Sequence, residues 1–79
     1  MFNRTAKIER DLARSNEHVR NARHRIETQR DRVAQLEADG HSAQGAKELL
    51  EVMEKLLVPM EGYRNFEAAE LVRSKRKIQ

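Results

Sequence analysis

The sequence has no cysteine, only one proline and only three glycines among its 79 residues. Without cysteine the chain can form no disulfide bond, no thiolate nucleophile and no zinc site with cysteine ligands. No stretch approaches the roughly 18 to 20 consecutive apolar residues that a transmembrane helix needs, and an apolar signal-peptide core is also missing. We therefore expect no membrane span and a cytoplasmic location.

The residue patterns of common catalytic and metal sites are also missing. There is no glycine-rich phosphate loop, and no carboxylate stands three residues before a histidine, as bundle di-metal sites require. His18 and His24 are six residues apart, so they face different directions on one helix. Most carboxylates lie one helical turn from a base and form ordinary surface pairs. We predict no catalytic residue, no metal, no cofactor, no small-molecule substrate and no enzymatic activity.

Charged residues make up 37% of the chain, and the 16 basic and 13 acidic residues leave a net charge of +3. The apolar residues recur with helical periodicity, so the charges belong on solvated helix faces. In the first half, nine residues follow one another in alternating steps of four and three, which is a heptad stripe. They are Ile8, Leu12, Ser15, Val19, Ala22, Ile26, Gln29, Val33 and Leu36.

The helix that carries this stripe is predicted over about 4–39, with Asn3 or Thr5 as its N-cap. Gly40 can adopt the left-handed conformation that ends a helix, and 40–42 form a short turn. A second helix is predicted over about 43–73, followed by a basic C-terminal tail over 73–79. Because so short a turn reverses the chain, we predict one all-α domain over 1–79, an antiparallel two-helix hairpin resembling a coiled coil.

The apolar face of the second helix is too broad for one partner helix. We assign its seam to Ala46, Leu49, Met53, Leu56, Met60 and Tyr63. Further apolar residues would then remain in water, and a second copy could cover them by forming a four-helix bundle dimer. The predicted self-association interface consists of Leu50, Val52, Leu57 and Val58.

Pro59 lies inside the second helical pattern, where it removes one backbone hydrogen bond and clashes with the carbonyl of Lys55. The helix should therefore kink or break there. We favour the kink, because Val58 is a poor N-cap for a new helix. On the first helix, Gln29 interrupts the seam and could either bond its counterpart in a second copy, fixing the register, or reach water.

The tail supplies an alternative function, because Arg73, Lys75, Arg76 and Lys77 are four positive charges within five positions. Such a cluster can bind phosphates, so the alternative is a nucleic-acid-binding accessory or regulatory protein. A basic helix end also simply complements the helix dipole. The leading prediction remains a non-enzymatic helical interaction or structural protein that forms a homo-oligomer, with a further protein partner left open.

The region 17–64 resembles small helical-hairpin proteins of unknown function found among alphaproteobacteria. The resemblance rests on Arg25, Ile26, Gln29, Arg30, Leu36 and Gly40, and then on Ala46, Leu49, Leu50, Met53, Glu54, Leu57, Met60 and Arg64. It implies a bacterial cytoplasmic hairpin and carries no activity or site residue with it. Pro59 and the basic end depart from that pattern.

Overall fold

Two helices of equal length make up the described chain. The computed structural model describes residues 3–78, with side chains as far as Arg76. Helix α1 spans Arg4–Ala38 and helix α2 spans Gln44–Ile78, each with 35 residues. No strand occurs within residues 3–78, which confirms the all-helical prediction. Neither described helix has an apolar stretch long enough to cross a membrane.

The two ends of α1 follow from local hydrogen bonding. The Asn3 side chain accepts a hydrogen bond from the Ala6 backbone N–H at 3.1 Å, so Asn3 is the N-cap. At the other end Gly40 has a φ of +75°, and the next backbone N–H, of His41, donates to the Leu36 carbonyl at 2.9 Å. This left-handed glycine turn satisfies the last carbonyls of the helix, as predicted.

The helices pack along their whole length as a hairpin. Lys47 contacts Glu37 beside the turn, and the Thr5 and Ser74 hydroxyls share a hydrogen bond of 2.5 Å at the far end. We call that far end, where the first turns of α1 lie beside the last turns of α2, the open end. The hairpin is a rod with extents of 61 × 16 × 15 Å, so each helix has only one close neighbour.

All nine predicted seam residues of α1 are buried or half-buried, which confirms that stripe. The seam of α2 differs from the predicted one, because Leu49, Leu56 and Tyr63 are exposed. A different series of alternating threes and fours faces α1, and we call it the inner seam. It comprises Ala43, Ala46, Leu50, Met53, Leu57, Met60, Arg64, Glu67, Leu71 and Ser74, all buried or half-buried.

Pro59 lies within one continuous helix, so the alternative of a break into two helices is wrong. The residue is exposed, and the chain is helical at Pro59 itself and on both sides of it. The α2 helix also continues past Arg73 to Ile78, so the part of the predicted basic tail that the structure describes belongs to the helix. Gln79 and the Lys77 side chain lie outside the described residues.

Candidate self-association surface

A second apolar stripe runs along α2, one residue before the inner seam. Leu49, Val52, Leu56, Tyr63 and Phe66 follow one another in steps of three, four, seven and three. We call these five residues the outer stripe. Each residue turns a helix by about 100°, so the outer stripe lies roughly a quarter of a turn from the inner seam. At about 1.5 Å per residue it extends for roughly 26 Å.

The outer stripe is exposed in the single chain. Its members retain 51% to 60% of their accessible surface. Soluble monomers rarely expose contiguous apolar patches of several hundred Å², and those that do usually use them for binding. Five half-exposed large side chains at heptad spacing form a seam that lacks a partner helix.

At the open end the outer stripe borders a groove between the helices. Tyr63 and Phe66 line one side of it, and Ile8 lies on the other. The groove has a volume of about 410 Å³ and is rimmed by the charged side chains of Arg4, Lys7, Asp11, Glu67 and Glu70. An apolar floor with a polar rim is the usual anatomy of a protein contact site. The groove therefore extends the apolar surface from α2 onto α1.

Ion pairs between the two helices line the flank of the hairpin opposite the outer stripe. Arg23 pairs with Glu61 at 2.5 Å, Arg30 with Glu54 at 3.3 Å, and Glu37 with Lys47 at 2.8 Å. These side chains are partly exposed, so each pair contributes only about 0–1 kcal/mol. Their spacing of seven residues on both helices places them along one edge of the helix contact. The hairpin thus has one flank lined by three ion pairs between the helices and one flank that carries the outer stripe, with a single such pair, Arg4 with Glu70, at its open end.

The contact between the helices turns polar toward the open end. The Ser15 hydroxyl donates to the Glu67 carboxylate, and both residues are buried, with 8% and 7% exposure. Beside them the Arg64 guanidinium donates to the Asn16 side-chain oxygen at 2.7 Å. No buried side-chain polar atom within the described range lacks a hydrogen-bond partner. A buried polar pair tolerates few alternative alignments, so Ser15 and Glu67 hold the register of the hairpin.

Two carboxylates at the groove rim are held in their charged form. The Arg73 guanidinium donates to Glu70, and together with Arg4 it keeps the pKa of that carboxyl below its ordinary value. A hydrogen bond from Lys7 at 2.8 Å likewise lowers the pKa of Asp11. Opposite charges and donated hydrogen bonds favour an ionised carboxylate. Asp11 and Glu70 therefore stay charged near neutral pH.

The structure does not bring the four predicted interface residues together. Leu50 and Leu57 are half-buried on the inner seam, where they face α1. Val52 is 52% exposed and belongs to the outer stripe. Val58 is 68% exposed but follows Leu57 by one residue, so it lies about 100° away on the side of the ion-paired flank. Only Val52 of the predicted set is on the outer stripe.

Sequence reasoning missed most of the outer stripe because of two leucine doublets. Leu49 with Leu50, and Leu56 with Leu57, allow two heptad series that differ by one residue. The predicted seam was right at Ala46, Met53 and Met60, which are half-buried. At the three alternate positions it chose Leu49, Leu56 and Tyr63, whereas the structure half-buries the next residue in each case. The signal that could have separated them was Ser15, a polar seam residue that needs a polar partner on α2.

The basic residues at the end of α2 share the open end with those at the start of α1. Arg73, Lys75 and Arg76 are exposed, and Arg73 pairs with Glu70. Arg10 and Arg14 are exposed on α1 at the same end of the hairpin. The fold therefore adds α1 charges to the predicted basic cluster, whose Lys77 side chain lies outside the described residues.

The predicted specificity residue Gln29 bonds within its own chain. Its side-chain amide donates to the Ala46 backbone carbonyl at 3.0 Å. It thus adds a hydrogen bond to a carbonyl in the first turn of α2, a role that neither sequence-based alternative contained. Among residues 3–78, no cluster of three or more His, Cys, Asp or Glu side chains is arranged to hold a metal ion.

Comparison of the chain with known proteins found no matching family model, no similar curated protein and no similar solved structure.

Removing the Ser15 hydroxyl tests the buried polar contact. We expect Ser15→Ala to lower the free energy of unfolding by about 1–3 kcal/mol, because it leaves a buried Glu67 carboxylate without its partner. The double variant Ser15→Ala, Glu67→Leu should recover most of that loss, since two apolar groups can replace the pair. Urea denaturation followed by circular dichroism measures both. The exposed Thr28→Ala variant is the control, and an equal loss in it would contradict this role for Ser15.

Proposed function

We propose that this chain is a non-enzymatic helical interaction protein that self-associates through the outer stripe. The observation that carries the proposal is an exposed apolar series on α2 with the spacing of a helix-packing seam. A second copy necessarily presents the same series, and symmetric homodimers pair one surface with itself. The predicted bacterial origin and cytoplasmic location remain part of this proposal.

The expected product is a dimer of hairpins that forms a four-helix bundle. Thr5, near the start of α1, contacts Ser74, near the end of α2, whereas Glu37, near the end of α1, contacts Lys47, near the start of α2. This order of contacts supports antiparallel helices within each hairpin. Pro59 lies at the heptad position between Leu56 and Tyr63, so it belongs to the face that would meet the second copy. A bend there would curve α2, and it stays a prediction.

The energetics favour association of moderate strength. Fully burying one large apolar side chain contributes about 1.5–3 kcal/mol, and each outer-stripe residue is about half exposed. Covering the stripe on two copies therefore contributes on the order of 10 kcal/mol. Association costs about 4–15 kcal/mol in lost freedom, so the net gain is at most about 6 kcal/mol and we expect a dimer that forms at tens of micromolar or higher concentration.

A charge placed in the outer stripe tests the proposal. We expect Leu56→Lys to convert the dimer into a monomer, because the new ammonium group would have to be desolvated in the interface. Multi-angle light scattering over a concentration series measures the change. The matched control is Val58→Lys, which adds the same charge two residues away at a position with 68% exposure, and it should leave the dimer intact.

Three outcomes would count against self-association through this face. They are a wild-type monomer at all concentrations, a dimer that persists in Leu56→Lys, and equal disruption by Val58→Lys. Circular dichroism should show helical content close to wild type in both variants, since both residues are exposed in the single chain.

A second candidate function is nucleic-acid binding at the open end. The observation in its favour is that Arg10 and Arg14 of α1 lie at the same end of the hairpin as Lys75 and Arg76 of α2. Two basic helix ends side by side can contact more phosphates than either one alone. The groups are spread around both helices, so they would contact the phosphate backbone without reading base sequence.

Salt dependence tests this second function. If the open end binds duplex DNA, each phosphate contact should add about 0.9 to the log–log slope of affinity against salt concentration. Fluorescence anisotropy with a labelled duplex should then show a smaller slope for the double variant Lys75→Gln, Arg76→Gln than for wild type. The control is a second double variant with equal charge loss near the turn, Arg30→Gln, Arg32→Gln. Equal effects of the two double variants, or no salt-sensitive binding, would rule the function out.

A further inference from the structure

We infer that two copies join with their hairpins reversed, so that α2 of one copy runs antiparallel to α2 of the other. This inference rests on the proposed self-association and specifies the partner as a second copy in one orientation. It follows from two independent asymmetries of the hairpin, one in charge and one in side-chain size. Both asymmetries favour the same arrangement.

Charge is distributed unequally along the hairpin. The half at the open end, residues 3–20 and 62–78, carries ten basic and five acidic residues. The half at the turn, residues 21–61, carries six basic and eight acidic residues. Copies aligned in parallel would place the two basic ends side by side. Reversed copies would place each basic end beside the acidic turn half of the other, which is electrostatically complementary.

Side-chain size along the outer stripe is also unequal. The aliphatic residues Leu49, Val52 and Leu56 occupy its first part, and the aromatic residues Tyr63 and Phe66 occupy the last part. Parallel alignment would pack aromatic rings against aromatic rings at one end and smaller aliphatic chains at the other. Antiparallel alignment pairs a large side chain with a smaller one at each level, which keeps the helix separation even.

The antiparallel arrangement has a definite register. With the outer stripe centred on a two-fold axis between Leu56 and Pro59, Leu49 of one copy lies opposite Phe66 of the other. Val52 then lies opposite Tyr63. In this register the groove between Ile8 on one side and Tyr63 and Phe66 on the other can receive the Val52 and Leu49 side chains of the second copy. The groove is thereby filled without any further partner.

Cysteine crosslinking tests the orientation directly, because the chain has no native cysteine. The two single variants are Leu49→Cys and Phe66→Cys, one of them fused to a mass tag. Each alone should give only background disulfide dimer, since like positions would be about 26 Å apart at 1.5 Å per residue. An equal mixture should give the tagged–untagged disulfide as its main product. Val58→Cys, mixed with either variant, is the control and should stay at background.

The outcomes separate the inference from the proposed function. A light-scattering dimer in which each variant crosslinks to itself would overturn the antiparallel arrangement and leave self-association intact. A wild-type monomer would overturn both. A dimer in which neither variant crosslinks, alone or mixed, would also overturn the arrangement.

A measurement on the unmodified chain covers the case in which a cysteine variant fails to fold. Complementary charges weaken with added salt, whereas the repulsion between parallel basic ends would be relieved by it. The dissociation constant of the wild-type dimer should therefore rise between 50 mM and 300 mM sodium chloride. A dissociation constant that falls over that range would contradict the reversed arrangement.

Discussion

Helix α2 carries two apolar seams, and a two-helix hairpin can cover only one of them. The seams lie about 100° apart because they differ by a single residue in heptad position. Helix α1 has one narrow seam, so it covers the inner seam and leaves Leu49, Val52, Leu56, Tyr63 and Phe66 half exposed. The exposed apolar flank follows from this mismatch between one narrow face and one broad face.

The choice between the two seams depends on polar chemistry. Burying the inner seam places Glu67 against Ser15 and brings Arg64 beside Asn16, so the polar positions of both helices satisfy one another. Burying the outer stripe instead would set Ser15 against Tyr63 or Phe66 and leave its hydroxyl without a carboxylate partner. The unsatisfied polar group would cost about 1–3 kcal/mol. Polar matching between the helices therefore favours burial of the inner seam.

The sequence predicted α1 well and α2 less well, for a physical reason. On α1 a single series of threes and fours is available, Asn3 was one of two candidate N-caps, and Gly40 was the expected left-handed residue at the other end. On α2 the doublets at Leu49–Leu50 and Leu56–Leu57 make two series almost equally apolar. Which series turns inward depends on contacts with α1 across more than 50 residues of chain, and hydrophobic periodicity alone does not contain them. The exposed face was therefore predicted to exist, but with the wrong leucines.

Pro59 is a second position where the neighbouring sequence alone did not determine the structure. A proline inside a helix removes one hydrogen bond, yet α2 continues through it. Packing of the inner seam on both sides, from Met53 and Leu57 to Met60, holds the flanking turns in helical conformation. Tertiary contact thus overrides an unfavourable local residue, as it does for helix propensities in general.

Small-angle X-ray scattering over a concentration series tests most directly whether a second copy covers the outer stripe. We expect the scattering mass to rise from 9.2 kDa to twice that value as concentration increases. The cross-section should thicken at the same time, while the length exceeds the 61 Å of one hairpin by only about 10 Å, because the reversed register offsets the two copies by about seven residues. A mass of 9.2 kDa at every concentration, or a dimer nearly twice as long, would contradict side-by-side association through α2.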